Sequence, residues 1–308
     1  MRRIAPPVAL LDRAIVRVLP AVPRGIVRRL SARYIAGPSL EDAVRVVRRL
    51  NGEGKLATVD VLGEEIHNAD EARAIAGAYH DLFARIESEG LDANVSIKLT
   101  ALGLQLEGGV CRRNVEGLVG DAAARGSFVR IDMEDSSTTD ATLALYRELR
   151  AAGHDNVGVV LQARLRRTLA DARGLHNVRL CKGIYLEPPE IAHQDAEEIR
   201  ASFRRTLAAL LDQGTYVGIA THDEALIEDG LRQVRERGLG RDDYELQMLL
   251  GVRPERADEL VREGHRLRVY VPFGTHWYEY SLRRLQENPA IAGYVASDLV
   301  RRRRPRGR

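Results

Sequence analysis

The chain has 308 residues, enough for one large domain or two modest ones, and 44% of them are hydrophobic while 30% are charged, as in a soluble globular protein. Its net charge is only +3, because 47 Lys and Arg face 44 Asp and Glu, which argues against a nucleic-acid-binding protein. Its two cysteines, Cys111 and Cys181, are not in a Cys-x-x-Cys motif, which excludes a disulfide framework or cysteine-rich zinc site and fits the reducing cytoplasm.

Basic residues are concentrated at the two ends of the chain. The last eight residues, from Arg301, read RRRRPRGR, and the first thirty contain further Arg-rich stretches. Such runs are typical of solvated tails and are also candidates for contact with anionic lipid. Charges and prolines interrupt the N-terminal apolar stretches, so no window approaches the about 20 apolar residues of a membrane span. No signal-peptide cleavage pattern follows them.

The middle of the chain alternates between helical and β-rich segments. Residues 39–51 form the first predicted helix, with Ser39 as N-cap and acidic Glu41 and Asp42 in the first turn. Eight β-rich runs follow, which we predict as strands at 57–62, 94–99, 128–133, 158–161, 178–181, 216–220, 244–248 and 268–271. Helix candidates between them include 69–89, 112–124, 138–152 and 190–212.

Alternating strands and helices imply a parallel sheet, because each crossover needs a helix to return. Eight such units are the number that closes a (βα)8 barrel of the TIM type, with an open doubly wound sheet as the alternative. We therefore expect an N-terminal helical extension over 1–54, a catalytic barrel over 55–290, and a C-terminal segment over 291–308 with a disordered basic tail. The last helix of the barrel is expected to contribute to the substrate site.

Polar residues lie at the ends of six of the eight predicted strands, where barrels of this type carry their functional groups. In chain order they are Lys98; Arg130, Asp132 and Glu134; Gln162; Arg179 and Lys182; Thr221 and His222; and Tyr270. Arg130, Asp132 and Glu134 alternate, so a regular strand places them on one face, where they could equally form an internal ion-pair ladder. Polar groups at so many strand ends favour a functional site, because buried charges are costly without partners.

The segment THWYEYSLRRLQENP follows the last predicted strand through a short Pro-Phe-Gly turn. Tyr280, Arg283, Arg284 and Glu287 recur there at helical spacing. On an ordinary surface helix these would be exposed Arg–Glu pairs. Next to a barrel mouth, two adjacent guanidinium groups are suited to binding a carboxylate, because each offers a planar fork of donors.

Several common catalytic motifs do not occur in the sequence. There is no G-x-G-x-x-G, no G-x-x-x-x-G-K-[ST], no H-E-x-x-H and no G-x-S-x-G. A Rossmann dinucleotide site, a P-loop, a zinc protease and a hydrolase of that type are therefore not indicated, and no metal is predicted.

Taken together, the chain resembles the proline dehydrogenase family, in order from about Ser31 to Asn288. The matching strings are RYIAGPSLEDAVRVVRRLNGEGKLATVDVLGE, VSIKLTALG, RIDMED, VLQA, RLCKGIY, ATHD, YELQMLLG and RVYVPFGTHWYEYSLRRLQEN. The resemblance implies a (βα)8 barrel that holds FAD without a Rossmann fold. It also implies oxidation of L-proline to Δ1-pyrroline-5-carboxylate by hydride transfer to FAD, the first step of proline catabolism to glutamate.

The resemblance further implies roles for individual residues. Asp132 and Arg179 are the expected catalytic residues, Asp132 beside Lys98 and Tyr270, and Arg179 against the flavin. The substrate-binding residues implied are Lys98, Arg283 and Arg284 for the carboxylate, Tyr270, Tyr280, Leu249 and Tyr185 for the ring, and Glu64 as a gate paired with Arg283. The cofactor-binding residues implied are Met133, Gln162, Arg179, Cys181, Lys182, Gly183, Ile184, Thr221 and His222.

The partners implied are a membrane quinone as electron acceptor, with peripheral contact at the inner face of the membrane, and a separate pyrroline-5-carboxylate dehydrogenase. Three positions depart from the family pattern: Ile184 replaces alanine, Leu186 an aromatic residue and Asp223 an asparagine, which bears on FAD affinity. A hydroxyproline oxidase is the nearest alternative, and Tyr270 argues against it because its ring leaves little room for a ring hydroxyl. A catalytically silent scaffold barrel and a nucleic-acid binder are further alternatives.

Overall fold

The computed structural model describes residues 33–63, 66–278 and 281. Within them, eight parallel strands pair in chain order and the first pairs with the last, so the sheet is a closed barrel. The strands are β1 (Leu56–Val61), β2 (Ala93–Ile97), β3 (Val129–Ile131), β4 (Val157–Gln162), β5 (Asn177–Cys181), β6 (Tyr216–Ala220), β7 (Tyr244–Leu249) and β8 (Leu267–Phe273). The predicted (βα)8 barrel is confirmed, and the open doubly wound alternative is wrong.

Helices surround the barrel. They are α1 (Leu40–Gly52), α2 (Ala69–Ser88), α3 (Val110–Ala124), α4 (Thr139–Ala151), α5 (Thr168–Asp171), α6 (Ala196–Asp212), α7 (Glu224–Glu236) and α8 (Pro254–Arg262), with a short 3-10 turn at Ser136–Thr138. The helix predicted over 190–212 begins only at Ala196. Asp195 caps it by accepting from the amides of Glu197 and Glu198, and residues before it are held in a loop by the Leu165–Ala192 bridge.

The apolar core lies between the strands and the surrounding helices. Strand residues such as Val59, Ile97 and Ile131 point outward into this layer and are fully buried. Because side chains alternate along a strand, the intervening residues point into the barrel lumen, and many of these are charged or polar.

At the amino ends of the strands, the lumen contains an ion pair. Arg268 Nε donates to both carboxylate oxygens of Glu245, at 2.8 and 3.0 Å, and Tyr216 donates its hydroxyl proton to the same group. Arg130 donates to the carbonyls of Val159 and Asn177 in this region. Arg130 therefore does not form a ladder with Asp132, which bonds to other partners at the opposite end of the barrel.

The helix α1 packs against β1 and β8. Its first turn has the predicted cap: the amide of Asp42 donates to Ser39 Oγ, and the Asp42 carboxylate accepts from the Ser39 amide. The division of the chain into an extension, a barrel and a tail stays a prediction. Within the described ranges, no helix is long and apolar enough to cross a membrane, and no group of three or more His, Cys, Asp or Glu side chains could hold a metal ion.

Candidate active site

A cavity of about 490 Å³ opens at the carboxyl ends of the strands. Residues on strands β4 to β8 and in the segments that follow β2 and β3 line it, and most lie on β4 to β7 and the loops that follow them. The lining residues are Lys98, Asp132, Met133, Glu134, Val160, Gln162, Arg179, Cys181, Lys182, Gly183, Ile184, Tyr185, Ala220, Thr221, His222, Asp223, Gln247, Met248, Leu249, Val252 and Tyr270.

The fold brings the described site residues predicted from the sequence together around this one cavity. They are Lys98, Asp132, Met133, Gln162, Arg179, Cys181, Lys182, Gly183, Ile184, Tyr185, Thr221, His222, Leu249 and Tyr270. Glu64, Tyr280, Arg283 and Arg284 lie outside the described residues. The individual roles of all these residues stay predictions.

Lys98, just after β2, lies at the inner end of the cavity among acceptors from three other strands. Its Nζ donates to Asp60 Oδ2 at 2.6 Å and to the Tyr270 hydroxyl at 3.3 Å, and lies 4.0 Å from Asp132 Oδ2. Lys98 is close to Asp132 and Tyr270 because parallel strands end at the same edge of the barrel. A cation in this position is suited to binding a carboxylate.

Asp132 connects Lys98 and Tyr270 to Arg179. Its Oδ1 accepts from Ser96 Oγ at 2.6 Å and from Arg179 at 2.7 Å, while its Oδ2 accepts from the Tyr270 hydroxyl at 3.0 Å. Arg179 also donates to Gln247, and its guanidinium carbon lies 5.3 Å from the centre of the Tyr270 ring. The guanidinium group is therefore held in one orientation at the cavity wall.

Asp60 and Tyr79 lie behind Lys98 and are each only 1% exposed. Burial raises the pKa of Asp60, while the neighbouring Lys98 ammonium opposes that rise and Asp132 adds to it. Burial and the charge of Asp60 raise the pKa of Tyr79 well above its usual value, so its phenol stays neutral. A neutral Tyr79 can donate its proton to Asp60 Oδ1 at 3.2 Å or to the carbonyl of Ser96 at 2.7 Å.

A second charged group lies where β5 and β6 end. Asp223 Oδ2 accepts from Lys182 at 3.2 Å and from Arg200 of α6 at 2.7 Å. Burial works to raise the pKa of Asp223, but the bonds from Arg200 and Lys182 outweigh it and hold the pKa below its usual value. The negative charge of Asp223, one of the three departures from the family pattern, is thus paired with two cations.

Close backbone packing shapes the wall between β4 and β5. Gly183 has a φ of +93°, and a Cβ built on it would lie 2.7 Å from Gln162 Oε1. Gln162 in turn donates to the carbonyl of Glu134 at 2.7 Å. Glycine at 183 therefore allows Gln162 to remain in the wall. On the other side, His222 Nε2 accepts from the amide of Leu249 at 2.9 Å, which links the ends of β6 and β7.

Sequence reasoning missed several residues that organise this site. Asp60, Ser96 and Gln247 lie inside strands rather than at their ends, so a search of strand ends passes over them. A signal was present, since Asp60 interrupts the apolar run LATVDV and Gln247 alternates with Glu245 in YELQML. Polar side chains at alternate positions of a buried parallel strand indicate a polar lumen.

The fold and the cavity define a class: a barrel enzyme whose charged site lies at the carboxyl ends of its strands. The family model described as "Proline dehydrogenase" matches residues 43–297 of this chain. The chain therefore belongs to the proline dehydrogenase family.

Individual relatives agree with this assignment. The chain is 37% identical over 279 residues to "Proline dehydrogenase 1" of Bacillus subtilis (strain 168), a match that covers 89% of this chain and 92% of the relative. It is 36% identical over 280 residues to "Proline dehydrogenase" of Deinococcus radiodurans, covering 88% and 90%.

Solved structures show the same fold. The chain resembles the crystal structure of proline utilization A (PutA) from Bdellovibrio bacteriovorus with a TM-score of 0.80 and 23% identity, covering 89% of this chain. The match covers 36% of that protein, so the chain spans about a third of its length. The family resemblance seen in the sequence is confirmed, and the family is one of oxidoreductases that act on CH–NH groups.

Proposed function

We propose that this chain oxidises L-proline to Δ1-pyrroline-5-carboxylate, the first step of proline catabolism to glutamate, with FAD bound along the cavity. One observation carries the proposal: Lys98, Asp132, Arg179 and Tyr270 meet at the inner end of a cavity whose wall also contains all the other residues expected to bind the cofactor.

The residues present fit a flavin nucleotide. The cavity volume of about 490 Å³ is within the usual range of cofactor and ligand pockets, roughly 300–1,000 Å³. Lys182 supplies a cation for phosphate oxygens, and Gln162, Thr221 and His222 supply neutral hydrogen-bonding groups. Met133 and Ile184 offer apolar surface to an aromatic ring system, and Cys181 and Gly183 complete this wall.

The substrate would bind at the inner end of the cavity. The Lys98 ammonium would hold the proline carboxylate, together with Arg283 and Arg284, and the rings of Tyr270 and Tyr185 and the side chain of Leu249 would pack on the pyrrolidine. Tyr280 and Glu64 are expected to complete this enclosure. Fixing the carboxylate and the ring together orients one face of the substrate, and orientation supplies much of the rate in such enzymes.

FAD, when bound, supplies the acceptor for the hydride that leaves the ring carbon next to nitrogen. The chain's own contribution is positional and electrostatic. The substrate amine must first give its proton to solvent, so that the nitrogen lone pair can form the C=N bond as hydride leaves. Asp132 holds Arg179 in one orientation at the cavity wall, and the packed rings exclude water from the reacting carbon.

We also propose that electrons pass on to a membrane quinone and that a separate pyrroline-5-carboxylate dehydrogenase uses the product. The basic termini, which lie outside the described residues, are the candidates for peripheral contact with the inner face of the membrane. Deleting residues 301–308 is expected to weaken sedimentation with anionic vesicles and to leave proline oxidation unchanged. Equal sedimentation of both proteins would dismiss the tail.

The decisive experiment is anaerobic titration of the purified flavoprotein with L-proline while its visible spectrum is recorded. We expect proline to bleach the flavin and trans-4-hydroxyproline to bleach it far more slowly. The matched control is Lys98→Gln, which keeps the cavity but removes the carboxylate-binding cation. A bound flavin that proline does not reduce would contradict the proposed substrate, and a colourless protein that takes up no FAD would contradict the cofactor.

A further inference from the structure

We propose that Asp60, supported by Tyr79, is a positioning residue that keeps Lys98 charged and directed at the substrate carboxylate. The proposal rests on the function proposed above and adds to it a residue that does not itself line the cavity. Lys98 lines the cavity, and Asp60 bonds to it at 2.6 Å from behind.

The first argument is the local architecture. The β1–β2 ladder ends at the pair Asp60 and Ser96. The Tyr79 hydroxyl, which α2 delivers from outside the barrel, lies at this point and accepts from the amide of Val61 at 3.2 Å. Tyr79 is also within bonding distance of Asp60 Oδ1 and the Ser96 carbonyl. The Asp60 carboxylate is thus held by a packed helix, and it cannot rotate away from Lys98 without breaking these contacts.

The second argument is charge. The charged and titratable groups around Lys98 in the described structure are Asp60 on β1, Asp132 after β3, Arg179 on β5, Tyr270 on β8 and Tyr79 on α2. Asp132 is already shared with Arg179 at 2.7 Å, whereas Asp60 lies at 2.6 Å from Lys98. Removing the Asp60 charge would take from the Lys98 side chain, only 11% exposed, the anion at 2.6 Å, whereas the Asp132 carboxylate lies 4.0 Å away.

A buried ammonium that loses its nearest anion gives up its proton at lower pH. A neutral Lys98 no longer attracts a carboxylate. The loss of Asp60 should therefore weaken the binding of a ligand's carboxylate and leave the contacts of its ring and amine unchanged. This selectivity separates a positioning role from a general contribution to packing.

The test uses the FAD-loaded enzyme and two competitors of proline oxidation. Cyclopentanecarboxylate has the ring and the carboxylate without the amine, and pyrrolidine has the ring and the amine without the carboxylate. In Asp60→Asn, the pH above which cyclopentanecarboxylate inhibition weakens is expected to fall by about 1–3 units, the usual effect of removing an opposite charge at this range. The inhibition constant of pyrrolidine should keep its wild-type pH profile.

Two control variants are matched to this test. Glu245→Gln removes an equally buried carboxylate at the other end of the lumen, 2% exposed and paired with Arg268, and should leave both profiles in place. Lys98→Gln should abolish the pH dependence of cyclopentanecarboxylate binding, and adding Asp60→Asn to it should change nothing further. The proposal would be overturned if Asp60→Asn shifted the pH profiles of both competitors equally. It would also be overturned if the double variant bound cyclopentanecarboxylate more weakly than Lys98→Gln alone.

A second measurement does not need the Asp60→Asn protein to fold. The chain has only three lysines, Lys55, Lys98 and Lys182, so ε-¹³C-lysine labelling of the wild-type enzyme gives three signals, which Lys98→Gln and Lys182→Gln assign. We expect the Lys98 side chain to remain protonated up to about pH 9, as an ordinary solvated lysine does, whose pKa is about 10.4. Deprotonation below that pH would overturn the proposal. Failure of the proposed function would instead appear in the wild type, as a flavin that proline does not bleach.

Discussion

Residues of the same type have different consequences at the two ends of the barrel lumen. Glu245 and Arg268 form a buried pair that does not line the cavity at the carboxyl ends of the strands, and we expect their effect to be on stability. Asp132 and Arg179 form a similar pair, but both line the cavity. Position along the strand therefore decides whether a carboxylate–guanidinium pair is structural or lies within reach of a ligand.

Tyr270 is expected to set the preference for proline over hydroxyproline. Replacing it by Ser removes the ring from the cavity wall, so a ring hydroxyl on the substrate no longer meets it. The ratio of kcat/KM for proline to that for trans-4-hydroxyproline should fall by roughly tenfold or more, the usual range for a changed pocket volume.

The control for that experiment is Tyr270→Phe, which keeps the ring and removes the hydroxyl that bonds to Lys98 and Asp132. It should lower activity toward both substrates and leave their ratio near the wild-type value. An unaltered ratio in Tyr270→Ser would show that Tyr270 does not contact the ring.

Gly183 lies in the cavity wall expected to bind the cofactor, and its positive φ favours glycine. In Gly183→Ala the new Cβ would displace Gln162, 2.7 Å away. We expect the purified variant to hold a smaller share of FAD, measured from the ratio of flavin to protein absorbance. Gly174→Ala is the matched control, because its φ is also positive, at +70°, but nothing lies within 4 Å of the added carbon. It should lose similar stability and keep its flavin; equal flavin loss in both would mean that backbone strain alone is responsible.

At the scale of elements, the first helix depends on its capping box and on the barrel it covers. Ser39→Ala removes the acceptor for the Asp42 amide and should lower the free energy of unfolding by about 1 kcal/mol. Urea unfolding measures the size of this loss, and hydrogen exchange of the α1 amides shows whether it is localised to this helix. Ser88→Ala, at an exposed position near the end of α2, should be close to neutral. A larger effect at Ser88 than at Ser39 would contradict this account of the cap.

Helix and strand boundaries were predictable where local signals are strong. The β6 strand has its predicted limits, and α1 follows the predicted cap. Strands β2 and β3 are shorter than their apolar runs suggest and end at Ile97 and Ile131. Beyond these points Lys98 and Asp132 turn to partners across the site, and no local pattern encodes where ladder pairing gives way to such contacts.

At the scale of the whole molecule, buried pairs make stability depend on pH. Burial favours a higher pKa for Glu245, but Arg268 outweighs it and holds the pKa below the ordinary 4.5. Because the folded-state value is the lower one, the stabilisation is fully present above about pH 4.5 and is lost as the pH falls through the folded value. The urea concentration at the unfolding midpoint of the wild type should therefore be lower at pH 3.5 than at pH 6.

Glu245→Gln isolates this contribution. The variant leaves Arg268 buried without its anion and should be destabilised at pH 6 by about 3–5 kcal/mol. The difference in unfolding free energy between variant and wild type should narrow as the pH falls from the ordinary 4.5 through the lower folded-state pKa of Glu245, because the wild type loses this stabilisation there. Glu116→Gln, in an exposed pair with Arg112, is the control and should change little. If the difference in unfolding free energy between Glu245→Gln and the wild type stayed constant with pH, the pH dependence would not come from Glu245.

The sequence by itself determined the alternation of strands and helices, the closed barrel and the family. The repeated apolar runs and the order of the motifs can be read locally along the chain, and eight alternating units favour one closed architecture. It also pointed to Lys98, Asp132, Arg179 and Tyr270, which are polar groups at or near strand ends. Only the tertiary structure decided that Asp60 and Tyr79 lie behind Lys98, that Asp223 is paired with Lys182 and Arg200, and that Arg130 bonds away from Asp132. These partners come from strands and helices far apart in the chain. Barrel closure and strand register decide which of them meet in the lumen. Neither closure nor register is encoded in any one segment, so local sequence patterns could not predict these contacts.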